Sequence, residues 1–150
     1  MLAERTTEDR RDRGTVLLLY PVGFMILLLF AAIAVDMSNG YLQQRELADL
    51  ADGAANDALT YGLDRDVLRA GGGYELDPVR AEQAALASIA AANDSNVSVV
   101  SFTASRNAAG NWEYLVVLET KVDYIFGPVA GIAGNKVKAT GRAEVLTQAP

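Results

Sequence analysis

The longest apolar run of the sequence predicts a helix that crosses a membrane. Twenty-one residues from Thr15 to Val35 carry no charged side chain. As a helix they span roughly 30 Å, the thickness of the hydrocarbon core of a bilayer. A soluble helix of this length would have a polar face, and this run has none. Pro21 is expected to kink the helix, which membrane helices tolerate, and Asp36 stands at the boundary, where a carboxylate reaches water and fixes the depth of the span.

A helical pattern continues beyond the apolar run. Apolar residues recur there at steps of three and four, which places them on one face of a helix; this alanine stripe consists of Leu47, Ala51, Ala54, Ala55 and Ala58. No proline lies between Val22 and Asp77, so the pattern predicts one helix from about residue 15 to about residue 60. Alanine buries little area and suits the close approach of another element. The stripe can pack on its own domain or on another protein, and the sequence leaves both interpretations open.

The rest of the chain predicts one more helix and an antiparallel sheet. Residues 60–77 read as an irregular, glycine-containing segment, and Asp77 with Pro78 forms a strong helix start. Alternating patterns then predict strands at 97–104, 112–122 and 136–145, of which the first two form a hairpin. The second strand is apolar on both faces and is expected to be central, covered on both sides. The last strand has one charged face, as an edge strand does.

These elements indicate an α+β fold class. A long N-terminal helix, transmembrane in its first half, precedes a small exported domain made of a helix and an antiparallel sheet. The predicted divisions are a cytoplasmic basic leader (1–14), a transmembrane helix (15–35), an extracytoplasmic continuation of that helix (36–60) and the exported domain (61–150).

The charges around the apolar run predict its orientation. Arg10, Arg11 and Arg13 precede the run closely, whereas Arg45 is the only basic residue between its end and Arg65. Because cytoplasmic flanks are enriched in Lys and Arg, the N-terminus is expected in the cytoplasm and the C-terminal domain outside it, as a single-pass protein of the cell membrane. The outer part carries nine basic against fifteen acidic residues, which excludes nucleic acid as an expected partner.

A second interpretation fits the same N-terminal residues. Basic residues, an apolar segment and the small residues Ala32 and Ala34 are also the parts of a cleavable secretory signal. Cleavage after Ala34 would release a secreted soluble binding module. The apolar run is longer than usual signal segments, and nothing breaks the helix before the cleavage point, which favours a retained anchor.

The composition argues against enzymatic chemistry. The chain contains no histidine and no cysteine, which removes imidazole bases, thiolate nucleophiles and the usual zinc and haem ligands. Candidate pairs for carboxylate chemistry remain at Asp64 with Asp66 and at Asp94 with Asn96, but exposed loop acids usually act as solvated charges or helix caps. We therefore expect no catalytic site, no cofactor, no metal and no small-molecule substrate.

Several features along residues 10–60 together resemble the N-terminal signature of TadE/TadG-like proteins. Basic residues and Arg13-Gly14 come first, followed by the apolar span with Pro21 and, in order, Val35-Asp36, Tyr41-Leu42, Arg45, Leu47, Ala51-Asp52 and Ala54-Ala55. Tyr124–Gly127 and the last strand, Lys138–Val145, are similar to the way such proteins end. The family consists of pilin-like, single-span membrane proteins of the tight-adherence (Flp) pilus machinery.

The resemblance also implies a processing site that this chain lacks in part. Family members that are processed are cut after a glycine, and the new chain has glutamate at position five followed by an aromatic residue. Cleavage between Gly14 and Thr15 would place Leu19 and Tyr20 at positions five and six. Because the glutamate is missing, the resemblance favours the unprocessed, TadG-like branch. It implies a structural or accessory subunit of the pilus or a related secretion assembly, with membrane lipid and pilin-like proteins contacting its N-terminal helix.

Overall fold

One long helix precedes a shorter helix and a three-stranded sheet. The computed structural model describes the backbone of residues 5–145 and the side chains of residues 19–129 and 131–145. The elements are helix α1 (Arg5–Gly62), helix α2 (Arg65–Arg69), helix α3 (Pro78–Ala91), strand β1 (Ser98–Arg106), strand β2 (Trp112–Val122), a 3-10 helix (Gly127–Ala130) and strand β3 (Asn135–Val145). This arrangement confirms the predicted α+β class.

Helix α1 is continuous from Arg5 to Gly62, a length of 58 residues. Pro21 lies inside it and does not end it. The helix therefore begins earlier than the predicted start near residue 15, and it ends close to the predicted residue 60. At a rise of 1.5 Å per residue it is roughly 85 Å long, much longer than the folded part of the chain requires.

The start of α3 is capped as the sequence predicts. The Asp77 carboxylate accepts hydrogen bonds from the backbone N–H groups of Val79 and Arg80 at 2.9 and 3.3 Å, and Pro78 occupies the first turn. The segment before it is less irregular than predicted. It contains the short helix α2, which the Asp64 carboxylate caps, and the Asp64 N–H bonds to the Glu75 carbonyl at 2.8 Å.

The sheet has the order β1-β2-β3 and is antiparallel throughout. Strand β2 is central and β3 is an edge strand, as predicted. The inner face of β2 is buried at Tyr114, Val116 and Leu118. On the outer face Leu115 and Val117 are half-buried between polar residues of the flanking strands. The expectation that β2 is covered on both sides is therefore wrong for this face, where flanking side chains give only partial cover.

Ion pairs connect β2 and β3 on the outer face of the sheet. The Lys136 ammonium donates to the Glu119 carboxylate at 2.6 Å, and the Arg142 guanidinium lies 2.7 Å from the Glu113 carboxylate. The hydrogen bond from Lys136 lowers the pKa of Glu119, and the charge of Lys138 acts in the same direction. Exposed pairs of this kind contribute little to stability, and they keep this face polar.

The inner face of the sheet shares one hydrophobic core with α1 and α3. Helix α1 packs on β2, β3 and α3. All members of the alanine stripe are buried in this core, with Leu47 at 2% exposure and the four alanines at 0%. The stripe therefore packs on its own domain in this structure, which favours the first of the two interpretations left open by the sequence. The core lies on both sides of the predicted division at residue 60.

Helix α1 and strand β3 approach each other backbone to backbone at Gly141. A Cβ atom at this position would overlap the carbonyl group of Ala51. The Asp52 carboxylate of the next residue accepts a hydrogen bond from the Arg142 N–H at 3.1 Å. Glycine inside a strand often marks such a close approach, since any side chain would separate the two elements.

Gly141→Ala is expected to lower the free energy of unfolding by about 1–3 kcal/mol, because the added methyl group meets backbone atoms that cannot rotate away. Gly53→Ala is the matched control, since nothing lies within 4 Å of its Cβ position. That change should raise the stability by up to about 1 kcal/mol, as expected in a helix interior. Chemical denaturation of the full chain in detergent, followed by the fluorescence of Trp112, measures both. Equal effects of the two changes would contradict the close approach.

Candidate functional site at the junction of the apolar helix and the folded domain

The apolar part of α1 is not covered by the folded domain. Among the described residues, one helix is long and apolar enough to cross a membrane, and none of its most apolar window is buried inside the chain. The core helix of a soluble protein would be buried instead. Pro21 lies within this bare part, between the exposed Tyr20 and Val22. The surface is therefore suited to lipid or to apolar helices of other proteins.

Asp36 connects the end of the apolar segment to the folded domain. Its Oδ1 atom accepts hydrogen bonds from the backbone N–H groups of Ile125 and Phe126 at 2.7 and 3.0 Å. Its Oδ2 atom lies 3.2 Å from the Phe126 N–H. Hydrogen bonds to a carboxylate are stronger than those between neutral groups. The residue predicted to fix the depth of the span thus also holds the connection between β2 and β3 against the helix.

The next turn of α1 extends this contact. The Asn39 side-chain amide donates to the Asp123 carbonyl at 3.1 Å. Gly40 faces Val122 and Tyr124, where a Cβ atom would be in ordinary van der Waals contact with the Val122 side chain. The helix turn that follows Asp36 therefore does not stand free; the end of β2 runs alongside the part of α1 that follows the apolar run.

The connection between β2 and β3 is itself apolar, and we call residues 124–134 the apolar loop. It contains no charged residue. The 3-10 helix Gly127–Ala130 forms its tip, and its exposed apolar side chains are Ile125, Phe126, Val129 and Ile132. Phe126 borders a shallow apolar hollow on α1 together with Leu29 and Ala32. The exposed apolar surface of the helix thus extends over the loop onto the folded domain.

The residues of the alanine stripe do not form part of this junction. Ala51, Ala54, Ala55 and Ala58 lie in the core, and Leu47 lies at its edge nearest the junction. The large exposed side chains of the same helix segment are Met37, Tyr41 and Leu42. A surface for other proteins on this part of α1 consists of these residues and not of the stripe.

The remaining candidate residues stand apart from one another. Gly14 and Thr15 lie within α1, so the predicted processing position is helical in the structure. Asp64 caps α2, and Asp94 accepts a hydrogen bond from the Asn96 N–H at 2.9 Å within its own turn. Among the described residues, no three Asp or Glu side chains are grouped so as to hold a metal ion. These acids have local structural roles.

Two contacts of the structure were not predicted from the sequence. The alternation of β3 places Gly141 on the inner face between Ala139 and Ala143, and a glycine there was a signal for a close backbone approach. The bonds from Asp36 to the backbone of Ile125 and Phe126 had no comparable signal. They join residues about 90 positions apart. Because nearly every residue has a backbone N–H group, the sequence does not mark the two that bind Asp36.

Asp36→Ala is expected to free the backbone N–H groups of Ile125 and Phe126 and to lower the stability by about 1–2 kcal/mol, because hydrogen bonds to a charged acceptor are lost. Hydrogen exchange of the full chain in detergent micelles should become faster in the apolar loop. Asp49→Ala is the control: its contact with Arg45 is a 3.9 Å pair between exposed side chains, which contributes little. Unchanged exchange in the Asp36 variant would contradict the role of this carboxylate.

Comparison with known proteins bears on the same segment of the chain. Residues 14–58 match the Tad family model, which describes Flp pilus-assembly TadE/G-like proteins. No curated protein and no solved structure matches the chain. The match begins at Gly14, includes the apolar run and Asp36, and ends with the alanine stripe. The resemblance predicted from residues 10–60 is thereby confirmed: residues 14–58 of this chain are similar to TadE/G-like pilus-assembly proteins.

Proposed function

We propose that the chain is a non-enzymatic, membrane-anchored subunit of a tight-adherence (Flp) pilus or of a related secretion assembly. The observation that carries this proposal is the family match over residues 14–58, because it includes the apolar segment of the one helix in residues 5–145 that is apolar enough to cross a membrane. The role is accessory and not that of the major fibre subunit. Leu19 stands where a processed pilin would carry the glutamate that pairs with a neighbouring subunit.

In this proposal α1 is a retained anchor with its N-terminus in the cytoplasm. Arg10, Arg11 and Arg13 flank the apolar run on that side, as the positive-inside rule requires. Retention is supported by the helix itself, which continues unbroken through Ala34 into the core of the folded domain. The folded domain then lies directly against the outer surface of the membrane, with no linker between the two.

The secreted alternative remains compatible with the fold of the C-terminal part. Among the side chains that the structure describes, none before Leu47 belongs to the core, so a chain released after Ala34 would keep all of these buried side chains. The two proposals therefore differ in where the mature chain begins and in which cell fraction contains it.

The mature N-terminus tests the anchor directly. We expect the intact mass and N-terminal sequence of the native protein to show a chain that begins at or near Met1 and stays in the membrane fraction. A membrane-bound chain starting at Thr15 would indicate prepilin-type processing and would overturn the accessory assignment. A soluble chain starting at Val35 would overturn the anchor and favour the secreted module.

Contact with other assembly proteins is assigned to the exposed side of α1 just outside the membrane. Tyr41 and Leu42 are large and apolar, and Tyr41 is 66% exposed. Met37 precedes Tyr41 by four residues and lies on the same face of the helix, also exposed. Apolar and aromatic side chains of this kind often carry the binding energy of an interface. The alanine stripe is excluded from this role because it is buried in the core.

The double variant Tyr41→Ser/Leu42→Ser should reduce the pili sheared from the cell surface by at least about tenfold, the effect of roughly 1.4 kcal/mol of lost binding energy. The amount of the chain in the membrane should stay constant, because both side chains lie outside the core. Leu68→Ser/Tyr74→Ser is the matched control, with two exposed apolar residues outside residues 14–58. Normal piliation of the first variant, or equal loss in both, would contradict the assigned surface.

A further inference from the structure

The apolar loop differs from the other exposed loops in its chemistry. No Asp, Glu, Lys or Arg occurs from residue 124 to residue 134. Val129 is 89% exposed, and Ile125, Phe126 and Ile132 are exposed beside it. Single apolar side chains are common on protein surfaces, whereas a continuous group of this kind marks a surface that contacts something else.

Five backbone N–H groups of the apolar loop are hydrogen-bonded within the chain. The Val129 N–H donates to the Phe126 carbonyl at 3.0 Å, and the Gly131 N–H donates to the Pro128 carbonyl at 3.1 Å. The Ile132 N–H donates to the Gly127 carbonyl at 2.9 Å. The N–H groups of Ile125 and Phe126 donate to Asp36. These bonds lower the cost of entering a lipid layer, because lipid cannot replace missing hydrogen bonds.

The position of the loop relative to the apolar helix determines what it can meet. Asp36 immediately follows the last residue of the uncharged run and holds the backbone of Phe126. Phe126 nevertheless lines the same apolar hollow as Leu29. Leu29 lies seven residues before Asp36 and therefore about 10 Å further along the helix axis. The loop thus overlaps in depth with the end of the segment that lies in lipid.

We propose that the apolar loop inserts into the membrane leaflet from which α1 emerges. This proposal rests on the membrane anchoring of α1 proposed above. Lipid is the occupant that the observations favour, since the loop is uncharged, continues the bare surface of the helix and reaches the depth of Leu29. Tyr124, at its start, is a residue type that prefers the interface between lipid and water.

Insertion of the loop gives the folded domain a second contact with the membrane. One contact is α1, and the other is the apolar loop, which Asp36 holds at the side of the helix. Two contacts fix the height of the domain above the bilayer. They also fix its orientation, because they determine which end of the sheet faces the bilayer. The β1–β2 turn is then directed away from the membrane, because it lies at the other end of β2.

The depth of single probes in a bilayer tests the proposal. The chain contains no cysteine, so Val129→Cys can be labelled with an environment-sensitive fluorophore at one site. The full chain is placed in phosphatidylcholine vesicles with nitroxide groups at the lipid headgroup or along the acyl chain. We expect quenching that places residue 129 roughly 5–10 Å below the headgroups, the depth at which interfacial apolar segments lie.

Two further variants separate this proposal from the anchor on which it rests. Leu28→Cys lies in the apolar helix and should be quenched by acyl-chain nitroxides; an aqueous probe there would overturn the anchor itself. Ala108→Cys lies in the β1–β2 turn and should stay in water. If the fluorophore at residue 28 is quenched by lipid nitroxides while the fluorophore at residue 129 is in water, the loop insertion is overturned and the anchor is left intact.

The role of Asp36 and the identity of the occupant are tested with the same probe. In the background of Asp36→Ala, the probe at residue 129 should move toward water, because the loop loses its attachment to the helix. Quenching at residue 129 should also be independent of the protein-to-lipid ratio. A probe that becomes shielded only at high protein density, without quenching by lipid nitroxides, would show that a second copy covers the loop and would overturn the proposal.

Discussion

Helix α1 packs on strand β3 with almost no side chain between the two backbones, and the rest of the fold is arranged around that contact. Gly141 supplies the space on the strand, and the alanine stripe supplies a flat surface on the helix. Because alanine covers little area, stability depends on how closely the elements approach and not on bulky side chains. The larger buried residues, Tyr114, Val116 and Leu118, belong to the central strand beside it.

The same helix that forms part of the core also forms the apolar segment. No loop separates the two parts, so the folded domain follows every tilt or rotation of the helix. Asp36 and Asn39 strengthen this connection at the first turns beyond the apolar run, since both bind backbone groups next to the end of β2. The junction is therefore a set of hydrogen bonds between distant parts of the chain and not a flexible tether.

The elements of this fold follow from local patterns, whereas its contacts do not. The uncharged run, the Asp77-Pro78 start and the alternation of β2 and β3 predicted the long helix, α3 and two strands, although α1 begins at Arg5 and not near residue 15. Short helix α2 was missed because five residues give no periodic signal. The partner of the alanine stripe could not be chosen, since an alanine surface fits a strand of its own chain as well as a helix of another protein.

The contact between Ala51 and Gly141 also determines when the domain can fold during synthesis. The chain grows from its N-terminus, and the two residues are separated by almost the entire folded domain. The side of the alanine stripe that β3 covers thus stays open until β3 has left the ribosome. Such long-range contacts form slowly. In the exported chain proposed above, the core would therefore close only after β3 has crossed the membrane.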